Sequence, residues 1–304
     1  MERFRTTFFN FDTVNTIAIY HHDARPLEAV RRYCAHCESL FSRFLEGSDL
    51  WRINHAEGRP VTVAPETAEL LSLSKVYATK TSGAFDITIG TLTSLWDFSG
   101  QIPPPDCQWL REGVKRVDSN QIVIDGQTVQ IPTGTLLDLG GIAKGYVADG
   151  IIRRLRADGV ISAVVNLGGN VCVLGRRLDG ALWRIGIQSP QEGASQYSTV
   201  VSLRDASVVT SGIYERGYDY NGRRLHHILD PDTGFPAEND LAAVSVICKQ
   251  SVAADALSTA FLCIGSVRSK EMLTNFPSLR VFLQKRDGSS EWYGTPQTMP
   301  PRQR

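Results

Sequence analysis

Apolar and polar positions along this chain repeat with two periods, and the period changes many times. The N-terminal stretch "MERFRTTFFNFDTVNTIAIYHHD" alternates at every second residue and predicts two strands. From Pro26 to Leu45 the apolar positions fall three and four apart, which predicts a helix. "EGSDLWRIN" then reads as a loop and "PETAELLSLSKVYATKT" as a second helix. "TSGAFDITIG", running from Thr81 to Gly90, closes that helix and starts a strand; "GQIPPPDCQ" reads as a proline-rich loop. "NQIVIDGQTVQI" has the pattern of a hairpin turning at Asp125-Gly126. "GTLLDLG" reads as a strand leading through a glycine-rich turn into the helix "AKGYVADGIIRRLRADG". A run of strands follows: "SAVVNLGG", "NVCVLGRR", "LWRIGIQ", "TVVSLRD", "ASVVTSG", "RRLHHILD" and "LAAVSVICK". A helix around "AADALSTAFL" and a last hairpin in "LRVFLQKRDGSSEWYG" complete the pattern. Strands outnumber helices and short turns join many of them. That predicts an α+β fold: a mixed, largely antiparallel β-sheet core with flanking helices. We expect one domain over residues 1–294 and a flexible tail over residues 295–304.

The helix around "AADALSTAFL" poses a specific question. At about 100° per residue, Leu257, Ala260, Phe261 and Ile264 share one face. Asp255 and Thr259, four apart, share the opposite face with Ala256, Leu262 and Cys263. A helix that is apolar nearly all round is buried, and a buried carboxylate needs a partner. Lys144, an arginine or a metal ion could serve. Asp255 and Thr259 would offer two hard oxygens one helical turn apart, which suits Mg²⁺.

Bulk properties narrow the classes. The 304 residues carry zero formal net charge, so no basic excess points to nucleic acid. No apolar run is long enough to span a membrane as a helix. The N-terminus has no signal-peptide pattern and the cysteines read as reduced, which gives a cytoplasmic expectation. Of six cysteines, Cys34 and Cys37 form a CxxC inside an amphipathic helical pattern, where buried structural thiols are expected.

Four further stretches carry polar chemistry. In "LDLGGIAKGY", Asp138 precedes two glycines and Lys144 opens a helix, an arrangement that suits an anion or serves as a plain turn. "VNLGGN" reads as a hairpin turn or bulge. "TSGIYERG" sets Thr210, Ser211 and Gly212 at a strand end, either as a phosphate site or as a capped turn. In "HHILDPDTGFP" alternation puts His226 and His227 on opposite faces, so one of them points to the interior or a cleft. Phe85 could stack on a flat ligand or fill the core, and Asp86 could bind a ligand hydroxyl or amide.

Together these pieces resemble the ApbE family of FAD:protein FMN transferases. The resemblance runs from about Phe8 to Gly265. It is carried by "GSDLWRIN", "TSGAFDITIGTLTSLWDF", "LDLGGIAKGYVAD", "VNLGGNVCVLG", "VVTSGIYER", "HHILDPDTGFPA" and "AADALSTAFLCIG", in the family's order. It implies an α+β fold, FAD as donor substrate, Mg²⁺ as metal, and transfer of FMN to a Thr or Ser hydroxyl of an acceptor protein with release of AMP. It further implies that Asp255, Thr259 and the backbone carbonyl of Gly141 hold the metal. Ala84, Phe85, Asp86, Asp138 and Lys144 would contact FAD, as would Ser211 and Ile228 beside the nucleotide, and His227 matches the catalytic histidine. The chain departs from the family pattern at Ser82 (usually Asp), Ile87 (usually Pro), Phe44 (often Tyr) and "FDT", Phe11 to Thr13 (usually Met-Gly-Thr). Two alternatives stay open: a Mg²⁺-dependent FAD pyrophosphatase on the same fold, and a non-catalytic FAD-binding protein or flavin oxidoreductase.

Overall fold

Two paired strands at the N-terminus begin one edge of the main sheet. The structure, a computed structural model, describes residues 1–98, 102–190 and 196–294. In chain order the elements begin β1 (Glu2–Asn10), β2 (Thr13–His21), α1 (Arg25–Phe41), α2 (Asp49–Asn54), β3 (Val61–Thr62) and α3 (Pro65–Lys80). They continue α4 (Gly90–Thr93), α5 (Cys107–Val114), β4 (Val123–Asp125), β5 (Thr128–Gln130), α6 (Ala143–Ala157), β6 (Ser162–Leu167), β7 (Asn170–Leu174) and β8 (Trp183–Gln188). The remainder are β9 (Tyr197–Leu203), β10 (Ala206–Gly212), β11 (Gly217–Tyr220), β12 (Arg223–His226), β13 (Leu241–Cys248), α7 (Ser251–Leu273), β14 (Arg280–Lys285) and β15 (Ser290–Gly294).

Eight strands form one sheet in the order β1-β2-β6-β7-β10-β13-β14-β15, and every pairing in it is antiparallel. Two-residue turns set two of its registers. Gly168 and Gly169 both take positive φ between β6 and β7, as the "VNLGGN" pattern predicts. Phe11 and Asp12 do the same between β1 and β2, although neither is glycine. The backbone N–H of Phe11 donates to the Glu38 carboxylate on α1 at 2.6 Å, which holds this less favourable turn.

The sheet is covered on both faces. Alternation along β10 and β13 sends Val209 and Val246 into the main core with α6 and α7, and Val208 and Ile247 into a second cluster. The paired strands β8 and β9 close that second cluster with Ile187, Val201 and Leu203. Coverage on both faces explains why β13 reads as a continuous apolar run rather than an alternating one. A third cluster joins Leu92, Trp96 and Leu110 to Tyr218, Leu225 and Leu229. It fastens α4 and α5 to the β11–β12 hairpin.

Several local expectations are corrected. "GTLLDLG" is not a strand: its N–H groups go to side chains and a helical turn instead of a ladder. Leu136 donates to Thr91 Oγ1 at 2.9 Å, Leu137 to Asn54 Oδ1 at 2.8 Å and Asp138 to the Ile87 carbonyl at 2.7 Å. "TSGAFDITIG" does not start a strand either, because Asp86 accepts from the Thr88 N–H at 2.8 Å and caps a 3₁₀ turn over Ile87–Ile89. "EGSDLWRIN" contains a helix, α2, capped by Ser48 accepting from the Trp51 N–H at 3.0 Å. The first helix ends at Phe41 rather than Leu45, and α5 was hidden by the neighbouring prolines. The expected tail, residues 295–304, lies outside the described residues, as do residues 99–101 of the proline-rich stretch.

Candidate active site

The site grows from a close crossing of α6 and α7. A Cβ on Gly145 would stand 2.5 Å from the Ser251 carbonyl oxygen, 2.7 Å from Val252 Cα and 2.8 Å from Asp255 Cβ, so only glycine permits this approach. The approach lets the Gly145 N–H, in the first turn of α6, donate to Asp255 Oδ2 at 2.8 Å. Asp149, one turn further along α6, returns the arrangement. Its carboxylate accepts from the Ser251 and Val252 N–H groups at 2.9 Å each and caps α7, which has no capping side chain of its own.

Asp255 is 4% exposed, as the apolar surroundings of its helix predicted. Burial pushes its carboxyl above the usual range, while the Lys144 ammonium, the Gly145 N–H and the nearby Asn170 amide act in the opposite direction. The question of its partner therefore has a first answer: a helix N-terminus and Lys144, with burial still dominant. One turn on, Thr259 Oγ1 donates to the Asp255 carbonyl at 3.2 Å and lies 3.3 Å from Ser211 Oγ. Ser211 Oγ also meets Ser258 Oγ at 2.9 Å. A Cβ on Gly141 would stand 3.3 Å from both Thr259 Oγ1 and Phe85 Cε2, so the glycine turn brings its backbone against Thr259. Lys144 Nζ reaches the Gly140 carbonyl at 3.3 Å.

One of the two adjacent histidines also lines the cleft. β12 ends at His226, which is 1% exposed and faces the interior, while His227 follows the strand and faces the cleft. His227 Nδ1 lies 3.2 Å from the Arg216 carbonyl oxygen. A carbonyl only accepts, so Nδ1 carries the proton and Nε2 keeps its lone pair. Burial, with the nearby Arg216 and Lys144 charges, lowers the His227 pKa against the opposing Arg216 hydrogen bond and keeps the ring neutral at neutral pH.

All eleven residues singled out in the sequence line one cleft of about 1180 Å³: Ala84, Phe85, Asp86, Asp138, Gly141, Lys144, Ser211, His227, Ile228, Asp255 and Thr259. Two of them have structural work as well. Phe85 is both core and cleft wall. Asp86 uses one carboxylate oxygen on Thr88 and the other on the Ser119 N–H at 2.9 Å. The cleft also holds residues that sequence reasoning missed. Arg43 Nη1 donates to Asp138 Oδ2 at 3.0 Å and to Thr93 Oγ1 at 2.7 Å, and its guanidinium stacks over Phe44. Arg43 sits just past the end of α1, where no periodicity distinguished it. Asn170 was passed over as part of a turn motif.

A cleft of this size in which a helix N-terminus, a lysine and a buried carboxylate converge defines an α+β protein with a site suited to a large anionic ligand. The particular family follows from comparison: this chain belongs to the ApbE family, whose model matches residues 11–283. The FAD:protein FMN transferase of Treponema pallidum (strain Nichols) is 37% identical over 286 residues, covering 86% of this chain and 78% of that protein. The FAD:protein FMN transferase of Klebsiella pneumoniae (strain 342) is 36% identical over 259 residues, covering 82% and 78%. The crystal structure of the ApbE protein from Thermotoga maritima superposes with a TM-score of 0.87 at 30% identity, covering 95% of this chain and 96% of that one. The apo flavinyl transferase ApbE of Pseudomonas stutzeri superposes with a TM-score of 0.85 at 28% identity, covering 96% and 94%. The expected α+β architecture is thus met in both the strand order and the relatives.

Proposed function

We propose that this chain transfers FMN from FAD to a Thr or Ser hydroxyl of an acceptor protein, with AMP as the leaving group. The observation that carries the reading is the convergence of the eleven residues in one cleft of a member of the ApbE family. In the proposed reaction the acceptor oxygen bonds to the FMN phosphorus, and the bond from that phosphorus to the bridging oxygen breaks. AMP leaves with the bridging oxygen.

His227 is the proposed general base. It is neutral at neutral pH, and Nε2, with Nδ1 donating to Arg216, is the atom that takes the acceptor proton. Lys144 and the first turn of α6 supply positive charge for the pyrophosphate. The wall formed by Ala84, Phe85 and Asp86 is assigned to the flavin nucleotide, together with Asp138, Ser211 and Ile228. Such a reaction asks the protein chiefly for positioning and charge stabilisation.

The residues around Asp255 fit Mg²⁺. A buried carboxylate whose neighbours do not offset its burial accommodates another cation. The Asp255 carboxylate, the Thr259 hydroxyl and the Gly141 carbonyl are the proposed hard-oxygen ligands. No group of three or more His, Cys, Asp or Glu able to hold a metal occurs among the described residues. A site with one protein carboxylate, completed by water and substrate phosphates, is a common way to hold this ion. When bound, Mg²⁺ supplies charge stabilisation to the pyrophosphate oxygens.

Residues 1–294 are taken as one domain, in keeping with a main core that draws residues from Ile17 to Leu283. The cytoplasm is the proposed compartment, supported by six unpaired cysteines. No helix of the described residues is long and apolar enough to cross a membrane. The test is product analysis after incubation with FAD, Mg²⁺ and an acceptor protein verified with a known transferase. Covalent flavin with stoichiometric AMP is expected. Free FMN and AMP without covalent flavin would make water the acceptor and the chain a pyrophosphatase. Intact FAD would leave only the binding role.

A further inference from the structure

Five buried side-chain atoms have no hydrogen-bond partner among the described residues: Asn15 Oδ1, Ser162 Oγ, Asn170 Nδ2, Trp183 Nε1 and His226 Nδ1. Of these residues only Asn170 lines the cleft. A buried amide donor left unpaired is unfavourable, so its orientation needs a cause.

That cause is a chain of hydroxyls under the cleft. Ser207 Oγ donates to Ser251 Oγ at 2.9 Å, and Ser251 Oγ donates to Asn170 Oδ1 at 2.6 Å. Asn170 itself is fixed at the start of β7, directly after the Gly168-Gly169 turn, and is 1% exposed. With Oδ1 committed to Ser251, the NH₂ group has to face the other way. It therefore turns its two N–H donors toward the cleft floor beside Asp255, whose carboxyl it helps to hold down, without a well-formed hydrogen bond to any protein atom.

We propose that Asn170 is a substrate-binding residue whose Nδ2 donates to a phosphate oxygen of the dinucleotide. This rests on the reading of the cleft as a FAD site. Asp255 and Asn170 then divide the floor of the cleft: the carboxylate is the acceptor-only group for a cation, and the amide is the donor-only group for an oxyanion. A donor held by a buried network loses little freedom when the ligand arrives.

Asn170→Asp keeps an oxygen for Ser251 and replaces the cleft-facing donor by a charged acceptor, and Asn170→Ser removes the amide donor without adding charge. FAD affinity is measured by flavin fluorescence titration in EDTA, so that no metal contributes, with wild-type protein alongside. Thermal melting confirms that each variant is folded. Affinity is expected to fall at least tenfold in Asn170→Asp and several-fold in Asn170→Ser. If Asn170→Asp does not fold, the serine variant carries the test. Affinity within twofold of wild type in a folded variant overturns the assignment. So does a loss that appears only when Mg²⁺ replaces EDTA, since the amide would then act on the ion's surroundings and not on phosphate. If wild-type protein fails to bind FAD both in EDTA and with Mg²⁺ present, the reading of the cleft fails instead.

Discussion

Gly145 offers the sharpest test of how the site is built. Helix propensity alone predicts that Gly145→Ala stabilises α6 by about 1 kcal/mol. The structure predicts the reverse. The new methyl carbon would sit 2.5 Å from the Ser251 carbonyl oxygen, 2.7 Å from Val252 Cα and 2.8 Å from Asp255 Cβ. Two of these atoms are backbone and the third is bonded to it, so no rotamer change relieves the contact. The helices must separate, and overpacking of this kind is unfavourable by about 1–3 kcal/mol. Separation also stretches the 2.8 Å hydrogen bond from the Gly145 N–H to the buried Asp255 carboxylate. A hydrogen bond to a charged group contributes about 1.5–3 kcal/mol. Allowing for the propensity gain, the variant is expected to lose about 2–4 kcal/mol. Urea unfolding followed by tryptophan fluorescence measures the loss as a lower midpoint at unchanged slope. Binding of FAD in the presence of Mg²⁺ should weaken in parallel, because Asp255 moves. A Gly145→Ala protein as stable as wild type would refute the close crossing as the origin of the site.

Other expectations follow from single contacts. Asp255→Asn removes the buried charge and should abolish both Mg²⁺ dependence and transfer, read by AMP release across a Mg²⁺ titration. His227→Ala should retain FAD binding and lose transfer. In wild type the transfer rate should fall on acidification with an apparent pKa below 6.5, because the lowered His227 pKa keeps the base neutral until then. His226, pushed down to about 4 by burial, gives a stability term with the same sign: it is complete above pH 6.5 and is lost as pH falls from 6.5 through 4. The term reaches on the order of 3 kcal/mol and should vanish from pH-dependent urea titrations of His226→Leu. Arg43→Gln leaves Asp138 without its cation, and FAD affinity should fall roughly tenfold, measured by fluorescence titration.

The sequence carried the long elements and the chemistry of the cleft, and the reasons differ. Alternation in β1, β2 and β6 is a direct imprint of the sheet, and Asp255 stood out because an apolar helix has no place for an unpaired carboxylate. The misreadings cluster where tertiary hydrogen bonds replace local ones. The "GTLLDLG" segment has the composition of a strand, but its N–H groups are taken by Thr91, Asn54 and Ile87, which no window of sequence can reveal. Asp86 looked like a ligand contact and is also a cap, because one carboxylate has enough lone pairs for local backbone and cleft alike. Arg43 and Asn170 were invisible for the opposite reason: a single polar residue beside a helix end or a glycine turn looks like ordinary punctuation until the fold brings it to Asp138 or Asp255.

Intact-mass spectrometry of the acceptor protein tests the central claim most directly. After incubation with FAD, Mg²⁺ and this chain, the acceptor is predicted to gain the mass of one FMN less one water, at a single Thr or Ser. Wild-type protein should produce the adduct, and Asp255→Asn and His227→Ala should not. An unmodified acceptor beside consumed FAD, or an adduct formed equally well by the His227→Ala protein, would contradict the account.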